Sequence, residues 1–393
     1  MELTKRQALF LITICFVANK VQRLPSLVSS ALGRHGFLVF FAMGVIDVLF
    51  LLLALLFNKN NGGKTTYQIC KTAGGKFYAK IIYVLLGIYY LANALLPYEA
   101  VHDLFANILF DFLSWETYSL VFAITVFFVA NRRLKNIGRL GEIFYYTIAL
   151  SFIVLLVLGA TTTNYQRTLP FADLEAKMLI DTCLTYSLWF GDFLIIYMIV
   201  GKVKEEGKKL GWQIILMYSI CVIVISFAYI VFYGLYEHLS PSQNSLISSI
   251  SQFSLLNLEI GRIDWFFVLF FQIGTVVASG VYLHLASQSF QEVFGIKDKK
   301  YIVLVLVALI YIADIFVFKS IQEGVSIIAF ISKYFAISMI LFMPIILLIT
   351  EIVANKKTLK KYNFDKYQIL YQKNKQPQKE PRKELKEKEA VSE

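Results

Sequence analysis

Charged residues inside apolar runs are the places where this sequence could do chemistry. Lys20 and Arg23 lie in the first long hydrophobic stretch, in "FVANKVQRLPS", which then meets Pro25. Asp192 follows Gly191 in "LWFGDFL", within a second such stretch. Asp47, Asp314, Lys333 and His284 stand singly in others. An ionisable group at the bilayer centre costs ~2.5–3.5 kcal/mol or more unless it finds a partner or a polar cavity, so each marks a candidate site. Two readings of the first group stand side by side. In one, Lys20 or Arg23 pairs with Asp192 in a central cavity, and the remaining cation or the pair's polar surround meets an anionic group such as a carboxylate. In the other, both cations snorkel to an interface and anchor the helix. Asp314 and Lys333 are expected to pair between neighbouring helices in a structural role, with a coupling role as the alternative. Asp47, soon after Gly44, either lines the cavity or faces a neighbour. His284 suits a satisfied interfacial histidine better than a proton relay.

Other chemistries are not supported. The four cysteines, at 15, 70, 183 and 221, form no CxxC pair, so neither a disulfide framework nor a zinc site is expected. "GKTT" at 63–66 lacks the upstream glycine of a phosphate-binding loop. No nucleophile–base arrangement stands out, and the chain is expected to be neither an enzyme nor a cofactor-binding protein.

The elements that must position these charges are membrane helices. The chain has 393 residues and is 58% hydrophobic, with a mean hydropathy of +0.63, which excludes an ordinary soluble domain. Apolar runs at about 7–31, 37–57, 79–97, 117–130, 142–161, 178–201, 211–236, 264–288, 301–319 and 325–353 predict ten transmembrane helices. The first is expected to remain as a helix, since no small-residue cleavage site follows it. Connections alternate in charge. The second-to-third holds five Lys and no acid, the next four acids and no Lys or Arg, and "NRRLKNIGR" is basic again. The positive-inside rule then places both termini in the cytoplasm. Residues 1–354 form the transmembrane domain. Residues 355–393 form a basic tail, with 12 Lys or Arg against 6 Asp or Glu, expected to be disordered or loosely helical. Its charge suits the anionic membrane surface better than nucleic acid.

Ten helices divide into five and five. Because five is odd, consecutive units of five run in opposite directions, the arithmetic of an inverted-repeat transporter fold. In such folds the first helix of each unit is often discontinuous, with ligand held at the breaks. The interrupted runs here are the first and the sixth.

"LTKRQALFLI", "LPSLVSSALGRHGFL", "GRLGEIFYYTIAL", "WFGDFLIIYMIVGKVKEEGKK", "LEIGRIDWFFVLFFQIG" and "FMPIILLITEIVANKK" occur in that order over residues 3–357. In these the chain resembles the spore germination permeases, the B subunits of GerA-type germinant receptors, within the amino acid–polyamine–organocation transporter superfamily. The resemblance implies a nutrient receptor of the spore inner membrane that binds an amino-acid-like germinant and acts with an A-type membrane subunit and a C-type lipoprotein. By position, Ala18, Asn19, Lys20 and Arg23 would line the ligand site opposite Gly191 and Asp192. The family's small-residue break before Leu-Pro-Ser reads "ANKVQRLPS" here. That departure implies a charged cavity with a different ligand, or one closed by an internal salt bridge. The alternatives are a proton- or cation-coupled amino acid transporter, with Asp192 or Lys20 taking the proton or replacing the cation, and a scaffold with a blocked pocket.

Overall fold

The computed structural model describes residues 3–59, 64–104, 114–168, 174–203, 208–243, 245–252, 264–317 and 321–375. The fold is all-helical. Helix α1 spans Lys5–Lys20 and α2 spans Leu24–Leu32. They are followed by α3 (Phe37–Lys59), α4 (Thr66–Leu104), α5 (Trp115–Ala130) and α6 (Leu134–Thr162). Then come α7 (Ala176–Thr185), the single turn α8 (Ile196–Ile199), α9 (Lys208–Tyr236) and α10 (Leu246–Gln252). The chain ends with α11 (Asp264–Phe294), α12 (Lys299–Val317), α13 (Ile321–Ile331) and α14 (Ile337–Lys375).

Six segments among the described residues are long and apolar enough to cross a membrane: Leu24–Phe57, Thr66–Tyr98, Leu134–Thr162, Leu210–Ser242, Phe267–Phe294 and Ser326–Thr358. Helix α1 and the sixth run are absent from that set because each break leaves a piece too short, and α2 enters it only joined to α3; the fourth and ninth expected spans, α5 and α12, also fall outside it. Phe267–Phe294 has 78% of its most apolar window buried, against 28% for Leu134–Thr162. Helix α11 is therefore central, packed on α1, α4 and α6, while α6 turns a wide face outward. Leu150, Ile223, Phe316 and Phe330 are each more than half exposed, as a lipid-facing belt requires.

Helix α1 starts with a reciprocal cap. Thr4 Oγ1 accepts from Gln7 N at 3.2 Å, and Gln7 Oε1 accepts from Thr4 N at 3.3 Å. It stops at Lys20, and Val21–Arg23 form a turn before α2. Pro25 sits in the first turn of α2, where its missing N–H costs nothing because that donor has no helical partner anyway. The sixth run breaks more widely. After α7 come a 3-10 turn at Ser187–Trp189, extended Phe190, left-handed Gly191 and a second 3-10 turn at Asp192–Ile195. The tenth run carries a π-helical turn at Ser332–Ala336 between α13 and α14. Helix α14 continues to Lys375, so the first part of the basic tail is helical; residues 376–393 lie outside the described residues.

Candidate functional site

The two broken runs meet. Lys20 Nζ bonds to Asp192 Oδ2, and both side chains are shut from solvent, at 1% and 0% exposed. Lys20 reaches this place because α1 ends there. Its ammonium also donates to Phe16 O at 3.2 Å, one turn back, and sits 3.9 Å from the Phe16 ring centroid and 5.1 Å from that of Phe190. A cation over aromatic faces recovers part of its lost hydration. Asp192 is aimed at Lys20 by the break itself, since a continuous helix would carry it around with the 3.6-residue period. Its other oxygen accepts from Tyr282 Oη on α11. One ion pair thus ties α1, the broken sixth run and the central helix together.

Unwinding leaves backbone groups that a continuous helix would satisfy, and in a dry interior each must find a partner. Here side chains supply them. Asp47 Oδ1 on α3 accepts from Gly191 N at 2.9 Å, while its Oδ2 accepts from Tyr218 Oη on α9 at 2.9 Å. Tyr89 Oη and Tyr90 Oη on α4 donate to Phe190 O at 2.6 Å and Leu194 O at 2.8 Å. Ser187 Oγ donates to Ser332 O at 2.7 Å, joining the break to the π-turn of the tenth run. Near the first break, Gln22 Nε2 donates to Thr275 Oγ1 at 3.0 Å.

Of the expected site residues, the structure brings Lys20, Asp192, Gly191 and Asp47 into one cluster. Lys20, not Arg23, takes Asp192; Arg23 is half-buried in the turn that follows. Ala18 is buried in the last turn of α1. Asn19 is 3% exposed, and neither polar atom of its amide has a partner among the described residues. Asp314 and Lys333 do not pair. Asp314 accepts from Trp115 Nε1 at 3.1 Å, and Lys333, carried on the π-turn, bonds to Asp181 Oδ1 on α7 at 2.6 Å. The π-turn adds a residue to that helical turn and so changes the face on which Lys333 emerges. Sequence reasoning missed Tyr89, Tyr218 and Tyr282. Their signal was present, since a tyrosine deep in an apolar run must find an acceptor, but nothing in the sequence says which one.

His284 Nδ1 lies 3.1 Å from Ala130 O and contacts Lys299 Nζ, which donates to Ala130 O at 2.7 Å. Lys299 and Lys202 lie just beyond the apolar runs. Burial, with Lys202 adding repulsion, holds the Lys299 ammonium down at about 7. Burial holds Lys202 down at about 8, opposed by the charge of Glu292, and its Nζ donates to Gln288 Oε1 at 2.6 Å. A lysine with a lowered folded pKa binds its proton less tightly folded than unfolded. From about pH 7 up to the ordinary value of 10.5 the unfolded chain therefore holds more protons, and stability rises with pH. Thermal unfolding in detergent is expected to move upward between pH ~7 and ~9. Lys299→Gln is expected to flatten that rise, and an unchanged slope would disprove the assignment.

The fold is similar to that of a manganese transporter from Eremococcus coleocola, solved in complex with an aromatic bis-isothiourea substituted compound. The TM-score is 0.58 at 11% identity, over 88% of this chain and 78% of that one. At that identity the likeness is one of fold alone. No curated protein sequence matches the chain. The family described as "Spore germination protein", the spore permeases, matches residues 2–324. That match runs from the capped start of α1, through both breaks, into α13, and the chain therefore belongs to the spore germination permease family.

Proposed function

We propose that this chain is the membrane subunit of a nutrient germinant receptor, built as ten spans in two inverted units of five and held in the spore inner membrane with both termini cytoplasmic. The observation that carries this reading is the buried Lys20–Asp192 pair joining the two unwound segments. An amino-acid-like germinant has the charges to exchange with it. Its ammonium takes Asp192 and its carboxylate takes Lys20, so the site stays neutral while the two broken helices are released from each other. Ligand-free, the internal pair closes the site; ligand-bound, the helices sit apart. A shift from 1:99 to 99:1 needs about 5.5 kcal/mol of differential affinity, within reach of two charge-assisted contacts in a dry site. An A-type membrane subunit and a C-type lipoprotein would read the change, and binding would start germination with no enzymatic step.

The second reading is a secondary amino acid transporter in which Lys20 replaces a coupling cation. It is favoured by the same pair, since a lysine ammonium against a midplane carboxylate can release a proton in place of a metal ion. Purified protein in proteoliposomes separates the two. Saturable binding of one amino acid class without net uptake is the expected result. Concentrative uptake would move the assignment to the transporter. Neither binding nor uptake, with stable association to other membrane subunits, would leave a scaffold.

A further inference from the structure

The basic stretch "NRRLKNIGR" gathers its charges in one place, with Arg132, Arg133 and Arg139 exposed. Asn131, Arg132, Arg133, Lys135, Asn136 and Arg139 line one groove of ≈ 420 Å³ between the end of α5 and the start of α6, and among the described residues that line it none is acidic. We propose that this groove binds the phosphate headgroup of an anionic phospholipid.

Three observations carry the proposal. The first is position. The flanking helices are α5, apolar over its last turn, and α6, which is long and apolar enough to cross a membrane, so the groove joining their ends sits at headgroup height. A free solute would have no such restriction. The second is the donor set. Guanidinium forks bind phosphate oxygens in pairs, and the two asparagine amides add neutral donors for ester or glycerol oxygens. Basic pockets between membrane helices hold anionic headgroups by this means.

The third is rigidity. The C-terminal carbonyl of α5, Ala130 O, is fixed by Lys299 Nζ at 2.7 Å. The first turns of α6 are clamped on α1 and the residue before its cap: a Cβ at Gly138 would lie 2.7 Å from Leu3 Cδ2 and 3.1 Å from Gln7 Cβ, and one at Gly141 would lie 2.9 Å from Leu11 Cδ2. Beyond them, Glu142 takes Arg6 at 3.0 Å and Gln7 at 3.1 Å, so its charge is occupied away from the groove. A headgroup held between Arg132 and Arg139 braces the base of α6, and with it the start of α1, the helix that ends at Lys20. Lipid composition therefore biases the broken helix. The choice of the cytoplasmic leaflet rests on the orientation proposed above; the site itself does not.

The test uses full-length protein in nanodiscs of phosphatidylcholine with graded phosphatidylglycerol, with retained lipid counted by native mass spectrometry and thermal unfolding followed in parallel. Phosphatidylglycerol is expected to be retained and to raise the unfolding temperature. The apparent affinity should fall about fivefold for each of Arg132→Gln, Lys135→Gln and Arg139→Gln, the factor for one basic side chain at an anionic surface. The triple change Lys71→Gln, Lys76→Gln, Lys80→Gln, on exposed lysines of α4, is expected to leave it unchanged. Equal loss in both sets would overturn the proposal in favour of diffuse attraction. Displacement of the lipid by inorganic phosphate at matched concentration would overturn it in favour of a free-phosphate site. Arg139→Gln, an exposed position in the second turn of α6, keeps the test decisive if the variants nearer the α5–α6 turn do not fold.

Discussion

Lys20→Met is expected to destabilise the folded protein by about 3–5 kcal/mol, because it leaves the Asp192 carboxylate buried without its cation. Asp192→Leu should cost a similar amount by stranding the ammonium. The double variant should recover most of the loss, since a buried pair replaced by apolar groups of similar size is often neutral or stabilising. Residual cost is expected from Tyr282, whose hydroxyl bonds to Asp192 and would lose its acceptor. The cycle is read by unfolding of purified protein in one detergent. Single changes that cost little and add up independently would show that the two residues do not interact. Exchanging the charges, Lys20→Asp with Asp192→Lys, should rescue less than the apolar double, because Tyr282 and the Phe16 ring are placed for the native polarity. The same cycle bears on function. If the pair is the closed state, the apolar double should fold yet fail to respond to germinant.

Gly191→Ala carries the second large effect. Gly191 has φ +82, a left-handed conformation that costs an L-residue roughly 1–2 kcal/mol. Its new Cβ would also lie 2.5 Å from Tyr89 Oη and 2.6 Å from Ile340 Cγ1. Something must move, and Tyr89 Oη is the donor that satisfies Phe190 O at 2.6 Å. Losing that bond adds about 1–3 kcal/mol for a buried carbonyl left unsatisfied. Tyr89→Phe isolates the hydrogen bond and should show only that smaller part. Unfolding temperatures of the two variants check the ordering, and Gly191→Ala should also abolish ligand response. A Gly191→Ala protein as stable as the parent would mean that the break does not depend on left-handed backbone there.

Much of this arrangement was legible in the sequence, and the reason is the bilayer. Apolar runs must be helical because no other short-range structure satisfies the backbone in lipid, so each described run lies on helix outside the breaks, although α4 and α14 extend well past the runs 79–97 and 325–353. The breaks were legible because charge, glycine and proline in an apolar run have no other physical place to go. Asp192 was the obvious acid for a cation in the first run. Which cation would take it was not legible. That choice depends on where α1 stops, and the Val21–Arg23 turn turns Lys20 inward and leaves Arg23 half-buried. The Asp314–Lys333 pairing failed because a single π-helical turn at Ser332–Ala336, invisible to periodicity, moves Lys333 to Asp181. Asp47 could not be assigned from sequence for a related reason. Its partner is a backbone N–H at Gly191, exposed only by unwinding, and no side-chain pattern announces it. Tyr89 is the same case, since its acceptor is a carbonyl of the broken sixth run, while Tyr218 and Tyr282 donate to the carboxylates of Asp47 and Asp192.

The central claim is that ligand exchange at the Lys20–Asp192 pair starts germination, and spores test it most directly. Spores in which this chain is the sole permease of its family retained would be followed for loss of refractility against amino acids, sugars and nucleosides, beside the same strain carrying Asp192→Asn. Response to one amino acid class, abolished by Asp192→Asn with the protein still present in the spore membrane, is the predicted result. A response that survives Asp192→Asn unchanged, or that the parent chain never gives to any nutrient, would contradict the account.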